Sequence, residues 1–397
     1  MNALDGIQKI TDIDLKAKKL FLRLDLNVPL DGNRIVDDLR IKAALPTIQY
    51  AIEAGAKIML CSHLGRPKEK GDPSCSLEPV AVHLSELLKK EVVLVEDPEG
   101  DGAKALINGL TSNQILLLEN IRYASGETKN DEKLAEHFAS FVDVYINDAF
   151  GASHRAHASI KALAEKVPVK GIGFLMEKEL SMLGRLLEKP ETPYVAVMGG
   201  SKVSDKIDLI QNLMDKVDSF IIGGAMSYTF LAAKGIPVGS SRIESEKIGF
   251  ARDLIERIEG RGKKILLPVD HIAVKEFKAD AQITETPTDA IPEGMMAVDI
   301  GPKTRTLFTG EIRQAKTLLW NGPMGVYEME AFAKGSLQVA RAFADSEGFS
   351  VIGGGDSAAV VNSTDFADKM DHISTGGGAS LEYLQGDDLP GLAALRS

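Results

Sequence analysis

Arg40, His63, Arg66, Arg122 and Arg155 lie close to short apolar runs, at the places where a chain leaves a strand and turns. Arginine presents a planar fork of donors that matches phosphate and carboxylate oxygens. Gathered at one rim, these side chains would hold a small, multiply anionic molecule. Asp25 and Asn27, in Asp25-Leu-Asn27-Val-Pro29, orient those arginines, accept a substrate hydroxyl, or simply form the turn before Pro29. His63, His154 and His157 lack metal-ligand spacing such as H-E-x-x-H, which leaves anion-binding or structural roles.

The second half of the chain carries a different chemistry. Its apolar runs end in Gly199-Gly-Ser-Lys202-Val-Ser-Asp-Lys206, Gly223-Gly224, Asn321-Gly-Pro-Met-Gly325-Val-Tyr-Glu328 and Gly353-Gly354-Gly355-Asp356-Ser357. Ser374-Thr-Gly376-Gly-Gly378 follows near the end. Glycine lets backbone N–H groups approach phosphate oxygens, and a helix opening at such a turn adds its dipole. Lys202 and Lys206, four residues apart, are expected on one face of a first helical turn. Lysines there oppose the dipole unless they reach toward an anion. Asp356 is either a carboxylate for a phosphate-bound metal or a helix N-cap. Gly353-x-Gly355-x-x-Ala358 has the form of a dinucleotide fingerprint, without the supporting acid about twenty residues on. No Walker A pattern occurs.

Strands are expected over 20–24, 57–61, 92–95, 115–118 and 142–146. A second series covers 194–198, 220–222, 265–268, 296–300, 318–320 and 349–352. Helical patterns alternate with them, over 44–54, 78–89, 132–140, 206–214, 246–258 and 331–344. Near-continuous apolar strands alternating with helices predict α/β architecture with parallel sheets covered on both faces. Two doubly wound, Rossmann-like domains are preferred to one very wide sheet. Gly171-Ile-Gly173 separates the two series, and a long helical pattern over 174–188, closed by Lys189-Pro190, joins them. The segment 280–294 reads as a loop or irregular hairpin. Of the 37 glycines, 25 lie beyond residue 175, which concentrates the phosphate chemistry in the second domain.

The 397 residues allow two to three domains, with 44% hydrophobic and 26% charged residues and a net charge of −11. An acidic chain is a poor binder of nucleic acid or anionic membrane. Two cysteines, Cys61 and Cys75, suit a reducing compartment. No signal peptide or membrane span is read, so the cytoplasm is expected. A nicotinamide-dependent dehydrogenase would need one fingerprint with a ribose acid and a proton-transferring histidine. A non-catalytic organic-phosphate binder would explain the arginines but not Lys202, Lys206 and the glycine turns. An anion-binding half joined to a phosphate-cradling half instead suits phosphoryl transfer to an anionic acceptor, which needs positioning and charge neutralisation above all.

Arg23-Leu-Asp25-Leu-Asn27-Val-Pro29, Ser62-His-Leu-Gly-Arg66-Pro, His154-Arg-Ala-His157-Ala-Ser, Gly199-Gly-Ser-Lys202, Trp320-Asn-Gly-Pro-Met-Gly-Val-Tyr-Glu328, Gly353-Gly-Gly-Asp356-Ser and Ser374-Thr-Gly-Gly-Gly resemble, in order, the motifs of the phosphoglycerate kinase family. Ser201 stands where alanine is usual and Tyr327 where phenylalanine is usual. The resemblance implies reversible transfer between 1,3-bisphosphoglycerate and ADP, giving 3-phosphoglycerate and ATP in glycolysis, with Mg²⁺, in a monomer. It implies a phosphoglycerate site at Asp25, Asn27, Arg40, His63, Arg66, Arg122 and Arg155. It implies a nucleotide site at Lys202, Lys206, Glu328, Gly354, Gly355, Asp356 and Ser357, with Asp356 at the metal. Arg40, Lys202 and Gly376 are the catalytic candidates. The implied domains are 1–173 for phosphoglycerate, a connecting helix 174–189, and 190–380 for nucleotide. A tail 381–397 returns to the first domain. Hinge motion about the connecting segments is expected, near Gly171, Gly173 and Lys189-Pro190 or at 376–378.

Overall fold

The computed structural model describes residues 4–111 and 114–396. The chain divides into two compact units, one running to Ser181 and taking in the segment from Asp388, the other Met182–Asp387.

Unit 1 is built on a six-stranded parallel sheet. Across the sheet the strands run Glu91–Val95, Gln114–Leu118, Lys57–Cys61, Lys19–Leu24, Val144–Asp148 and Val169–Ile172. Central strands such as Lys57–Cys61 are buried on both faces, which is why they read as continuous apolar runs. Helix Leu39–Glu53 turns Ile41, Ala44, Ile48 and Ala51 inward at helical spacing, onto Leu20, Leu22, Leu24 and Leu60. Truncating one of these leucines to alanine costs about 2–5 kcal/mol. Helix Pro390–Arg396 belongs to this unit, and Gly391 N donates to Ser153 O at 2.9 Å.

Unit 2 repeats the plan with strands Lys264–Leu266, Ser219–Ile222, Tyr194–Met198, Thr317–Asn321, Phe349–Gly353 and His372–Ile373, in that order. Its core includes Trp320, fully buried, with its ring 5.7 Å from that of Phe343. Helix Gly378–Gln385 stays with this unit, tied through Asn212 Nδ2 donating to Leu384 O at 2.7 Å. The division between units falls inside helix Phe174–Glu188.

Four expectations need correction. Met296–Ile300 is not part of the parallel sheet. It pairs antiparallel with His271–Val274, which in turn pairs antiparallel with Thr284–Glu285. A short buried run carries no mark of the direction of its neighbour. The strand expected at 142–146 is Val144–Asp148, because the Asp143 carboxylate takes Lys19 N at 2.8 Å and anchors the strand start. A further edge strand, Val169–Ile172, absent from the expected series, takes in Gly171 of the separating Gly171-Ile-Gly173. Lys202 and Lys206 do not share a helical turn: Lys202 precedes the 3₁₀ turn Ser204–Lys206, and the helix begins only at Ile207. The Glu244 carboxylate accepts from Ser204 N at 3.1 Å and Ser204 Oγ at 2.7 Å, fixing that tighter turn.

Candidate functional site

Unit 1 places every candidate of the basic rim on segments that follow its strands. Asp25 is buried, and its Oδ2 accepts from Arg40 Nη1 at 2.8 Å, which aims a half-exposed guanidinium from the first turn of helix Leu39–Glu53. Asn27 Oδ1 accepts from Gly65 N at 2.8 Å, so its carbonyl end holds the loop that carries His63 and Arg66. Arg122 lies on a 3₁₀ turn, Ile121–Tyr123, and its guanidinium donates to Gly65 O. Arg66, Arg122 and Arg155 line a concavity of about 430 Å³ together with Pro67, Thr128 and His157. Arg155 Nε donates to His154 Nε2 at 3.1 Å.

The cationic side chains strain one another. Burial, then the charges of Arg155 and Arg23, push Arg122 down to about 10. Burial, then Arg23, Arg122, Arg40 and Arg155, hold His63 far below the usual histidine range. His157 is pushed down to about 4, by burial first and Arg122 next. Both imidazoles are therefore neutral near pH 7, available as hydrogen-bond partners without adding charge. Arg122 Nε is buried with no hydrogen-bond partner among the described residues. Such an orphaned donor in a cationic concavity is a group suited to an anionic oxygen.

Behind the rim lies a buried layer that sequence reasoning missed as site residues. Arg23 is fully buried; its Nε donates to Ser159 Oγ at 2.8 Å, and Nη2 lies 3.4 Å from His63 Nδ1. Glu127, also fully buried, accepts from Ser159 N at 2.9 Å and Ser159 Oγ at 2.7 Å. Arg23 was visible as a lone charge inside an apolar strand. Glu127 carried no signal, because its partners are distant in sequence.

In unit 2 a concavity of about 290 Å³ is lined by glycine turns and by Lys202, Lys206, Asn321, Asp356 and Ser357. It lies where strands Tyr194–Met198 and Thr317–Asn321 run side by side although far apart in sequence, the switch point at which such sheets bind ligands. Their exit turns interlock at backbone distance. A Cβ on Gly199 would meet Pro323 O at 2.2 Å, and one on Gly322 would meet Gly199 O at 2.3 Å. Gly200 N donates to Pro323 O at 2.9 Å, and Gly322 N to Ser357 Oγ at 2.6 Å. Lys206 Nζ donates to Asn321 Oδ1, and burial lowers its pKa. Lys202 and Asp356 are exposed at the mouth.

Helix Gly355–Asn362 opens from Gly354, so Asp356 stands in the first turn and is not its N-cap. Gly354 and Gly355 line the concavity, as do Gly377 and Gly378. Gly376 N donates to Ser374 Oγ at 3.2 Å, and Gly376 is not among the lining residues. Glu328 is exposed on the segment after Gly325, also outside that lining. Asn321 was legible only as the residue before a glycine. No cluster of three or more His, Cys, Asp or Glu suited to a metal occurs among the described residues. A wider groove of about 600 Å³ in unit 1 is lined by Asp37, Asp38 and Glu86 together with Arg34 and His83, so acids outnumber the cation there.

Basic side chains at one sheet edge and glycine amides with two lysines at another define a class: an α/β protein equipped for two anionic ligands, one of them a polyphosphate. Residues 10–387 match the phosphoglycerate kinase family. The chain belongs to that family. Over 396 residues it is 56% identical to the phosphoglycerate kinase of Bdellovibrio bacteriovorus, covering 100% of this chain and 99% of that one. The corresponding enzyme of Clostridium tetani is 51% identical over 97% of each chain. The phosphoglycerate kinase structure from Coxiella burnetii superposes with a TM-score of 0.90 at 40% identity over 98% of both chains. That from Pyrococcus horikoshii gives 0.83 at 34%, again over 98% of each. The activity is ATP:3-phosphoglycerate 1-phosphotransfer, a reversible step of glycolysis, on 3-phosphoglycerate and ATP or ADP. No helix among the described residues is long and apolar enough to cross a membrane.

Proposed function

We propose that the unit 1 rim holds the phosphoglycerate and the unit 2 glycine turns hold the nucleotide. The observation that carries this is the orphaned, buried Arg122 Nε in a concavity shared with Arg66 and Arg155. Asp25 aims Arg40 and Asn27 braces the His63–Arg66 loop, while neutral His63 offers a hydrogen bond without repelling the guanidinium groups. In unit 2, Lys202 and Lys206 meet the nucleotide phosphates, Gly354, Gly355 and Ser357 shape their seat, and Glu328 meets the ribose.

In the direction of ATP use, a carboxylate oxygen of 3-phosphoglycerate attacks the terminal phosphorus. One O–P bond forms as the bond to ADP breaks. The carboxylate is already ionised, so no general base is required. Arg40 and Lys202 neutralise charge on the phosphoryl in flight, and Gly376 belongs to the same catalytic set. The donor set fits magnesium held largely by the nucleotide: an exposed carboxylate, Asp356, beside the glycines proposed for the phosphates. Bound there, Mg²⁺ would supply charge neutralisation between phosphates. Ligands held by separate units must be brought to reacting distance, which is the work of hinge motion.

Buried, unpaired Cys61 and Cys75 support a cytoplasmic setting. The family resemblance supports a monomer, and light scattering tests it against 42.7 kDa.

Calorimetric titration tests the division of labour. Arg66→Ala should weaken 3-phosphoglycerate binding about tenfold or more and leave ADP affinity within about twofold. Lys206→Ala should do the reverse. Equal losses of both ligands in either variant would overturn the assignment.

A further inference from the structure

We propose that Asn120 is a positioning residue for the acceptor: its buried amide fixes the His63–Arg66 loop and the Arg122 turn in one geometry and thereby sets affinity for 3-phosphoglycerate. This rests on the reading that the unit 1 rim holds that ligand.

Asn120 follows strand Gln114–Leu118 and is fully buried. Its Oδ1 accepts from Leu64 N at 3.2 Å and from Arg122 N at 3.1 Å. Its Nδ2 donates to Leu64 O at 2.7 Å and to Cys75 O at 2.8 Å. An amide side chain has two donors and an oxygen with two lone pairs, and all are in use. Both backbone groups of Leu64 are thus tied to one side chain. Leu64 stands between His63 and Gly65, so the peptide planes that present His63 and Arg66 cannot rotate without breaking that pair.

The next residue is held independently. Gly65 N donates to Asn27 Oδ1 at 2.8 Å, and Gly65 O accepts from the Arg122 guanidinium. Gly65 has a φ of +56°, and a Cβ there would lie 2.9 Å from Cys75 Sγ, so the loop seats directly on Cys75. Asn120 holds the carbonyl of that same Cys75. Glu119 extends the clamp: it accepts from Leu77 N at 2.7 Å and from Ser76 Oγ at 2.6 Å. One side chain therefore joins the loop bearing two candidate ligand groups, the turn bearing a third, and the segment beneath. An aliphatic residue of equal size would fill the space but hold none of these.

Asn120→Asp is close to isosteric and separates positioning from packing. A carboxylate there would face Leu64 O and Cys75 O, two acceptors, with no proton to offer. At pH 8 the KM for 3-phosphoglycerate should rise about tenfold, with the KM for ATP within about twofold. As pH falls toward 6 the buried carboxyl takes up a proton and regains one donor. The ratio of variant to parental KM for 3-phosphoglycerate should therefore shrink. Asn120→Ser, which keeps one donor and acceptor, should give a smaller rise in the same KM and covers the case in which the aspartate variant does not fold. A purely structural role would lower Tm and the active fraction while leaving both KM values unchanged in both variants, and that result overturns the proposal. Arg66→Ala in the same assay separates the two ideas. If it raises the KM for 3-phosphoglycerate and the folded Asn120 variants do not, only the role of Asn120 falls. If Arg66→Ala has no effect, the reading of the rim falls and takes this proposal with it.

Discussion

Beyond the strand ends of unit 1 stand charged side chains anchored to one another; beyond those of unit 2 stand glycine turns locked backbone to backbone. Numbered within each sheet, the parallel strands run 3-4-2-1-5-6 in unit 1 and 3-2-1-4-5-6 in unit 2. In both, the exit of the first strand carries candidate site residues: Asp25 and Asn27 in one, Gly199 and Gly200 in the other. On the proposed assignment, the loops differ because the ligands do. A small acid offers few atoms and must be gripped by long forks from several directions. A polyphosphate chain offers many oxygens, which backbone amides can follow closely only where side chains are missing. The cost also differs. Unit 1 confines cations that lower one another, as at Arg122, whereas in the unit 2 concavity the charges of Asp205 and Asp356 act on Lys206 to raise it against burial.

The largest effect is expected where one long cation serves the glycine rim. Lys202 is exposed and stands before the 3₁₀ turn rather than in a helix, so its ammonium is free to follow the phosphoryl group. Lys202→Ala should lower kcat by roughly 10²–10³ at saturating substrates, the scale for losing a charge-stabilising donor. Tm should hardly move. A folded variant with near-normal kcat would show that Lys206 and the backbone amides suffice in unit 2, and would remove Lys202 from the catalytic set.

Much of this was legible beforehand, for definite reasons. Strands Lys57–Cys61 and Tyr194–Met198 lie where expected because central parallel strands are apolar throughout. The arginines and glycines were legible because their chemistry is intrinsic to the residue. What the sequence hid is relational. Glu127 and Asn120 matter through partners more than thirty residues away, such as Ser159 and Leu64, and no local pattern encodes those pairings. Thr284–Glu285 is two residues of polar chain that become strand only beside His271–Val274. The short edge strand His372–Ile373 was missed for the same reason.

Each unit also buries ionisable groups whose shifts oppose one another, which gives a pH dependence of intermediate size. In unit 2, Asp299 accepts from Gly335 N at 2.7 Å and Ile300 N at 2.8 Å, and burial pushes it up to about 7. In unit 1, His157 is pushed down to about 4. A carboxyl raised in the folded state keeps its proton where the unfolded chain has lost it, between about pH 4 and 7, so acidification across that window stabilises. A lowered histidine does the opposite: its contribution is present above its unfolded pKa and is lost as pH falls toward 4. Each unit also holds groups of the other kind: Glu127 and Asp148 in unit 1, both raised and Asp148 to about 6, and His271 in unit 2, lowered, all through burial. Substitution isolates the term. Asp299→Asn should lower Tm at every pH, because its amide nitrogen must face one of those N–H groups. The deficit should widen by on the order of 5 °C between pH 7 and 5, as the parent alone gains from protonation. A deficit constant across that range would mean that Asp299 does not titrate there.

The smallest effect tests whether a neutral side chain, Tyr327, supports Asp356, the carboxylate proposed for the metal. Tyr327 is partly buried, and its hydroxyl is raised by burial first, then by the charges of Asp356 and Glu328, with a hydrogen bond to Asp356 also contributing. Donating to that carboxylate would hold it toward the phosphate seat. Tyr327→Phe keeps the ring and removes only the donor. A neutral hydroxyl bonding a carboxylate at a solvent-accessible mouth is worth at most about 1 kcal/mol, since water replaces it readily. The apparent affinity for magnesium with ATP should therefore fall about two- to threefold. kcat at saturating magnesium and the KM for 3-phosphoglycerate should stay as they were, because neither the moving phosphoryl nor the unit 1 rim is touched. A loss confined to magnesium affinity places Tyr327 beside the metal carboxylate in function as in space. An unchanged magnesium dependence would leave Asp356 without functional support from Tyr327.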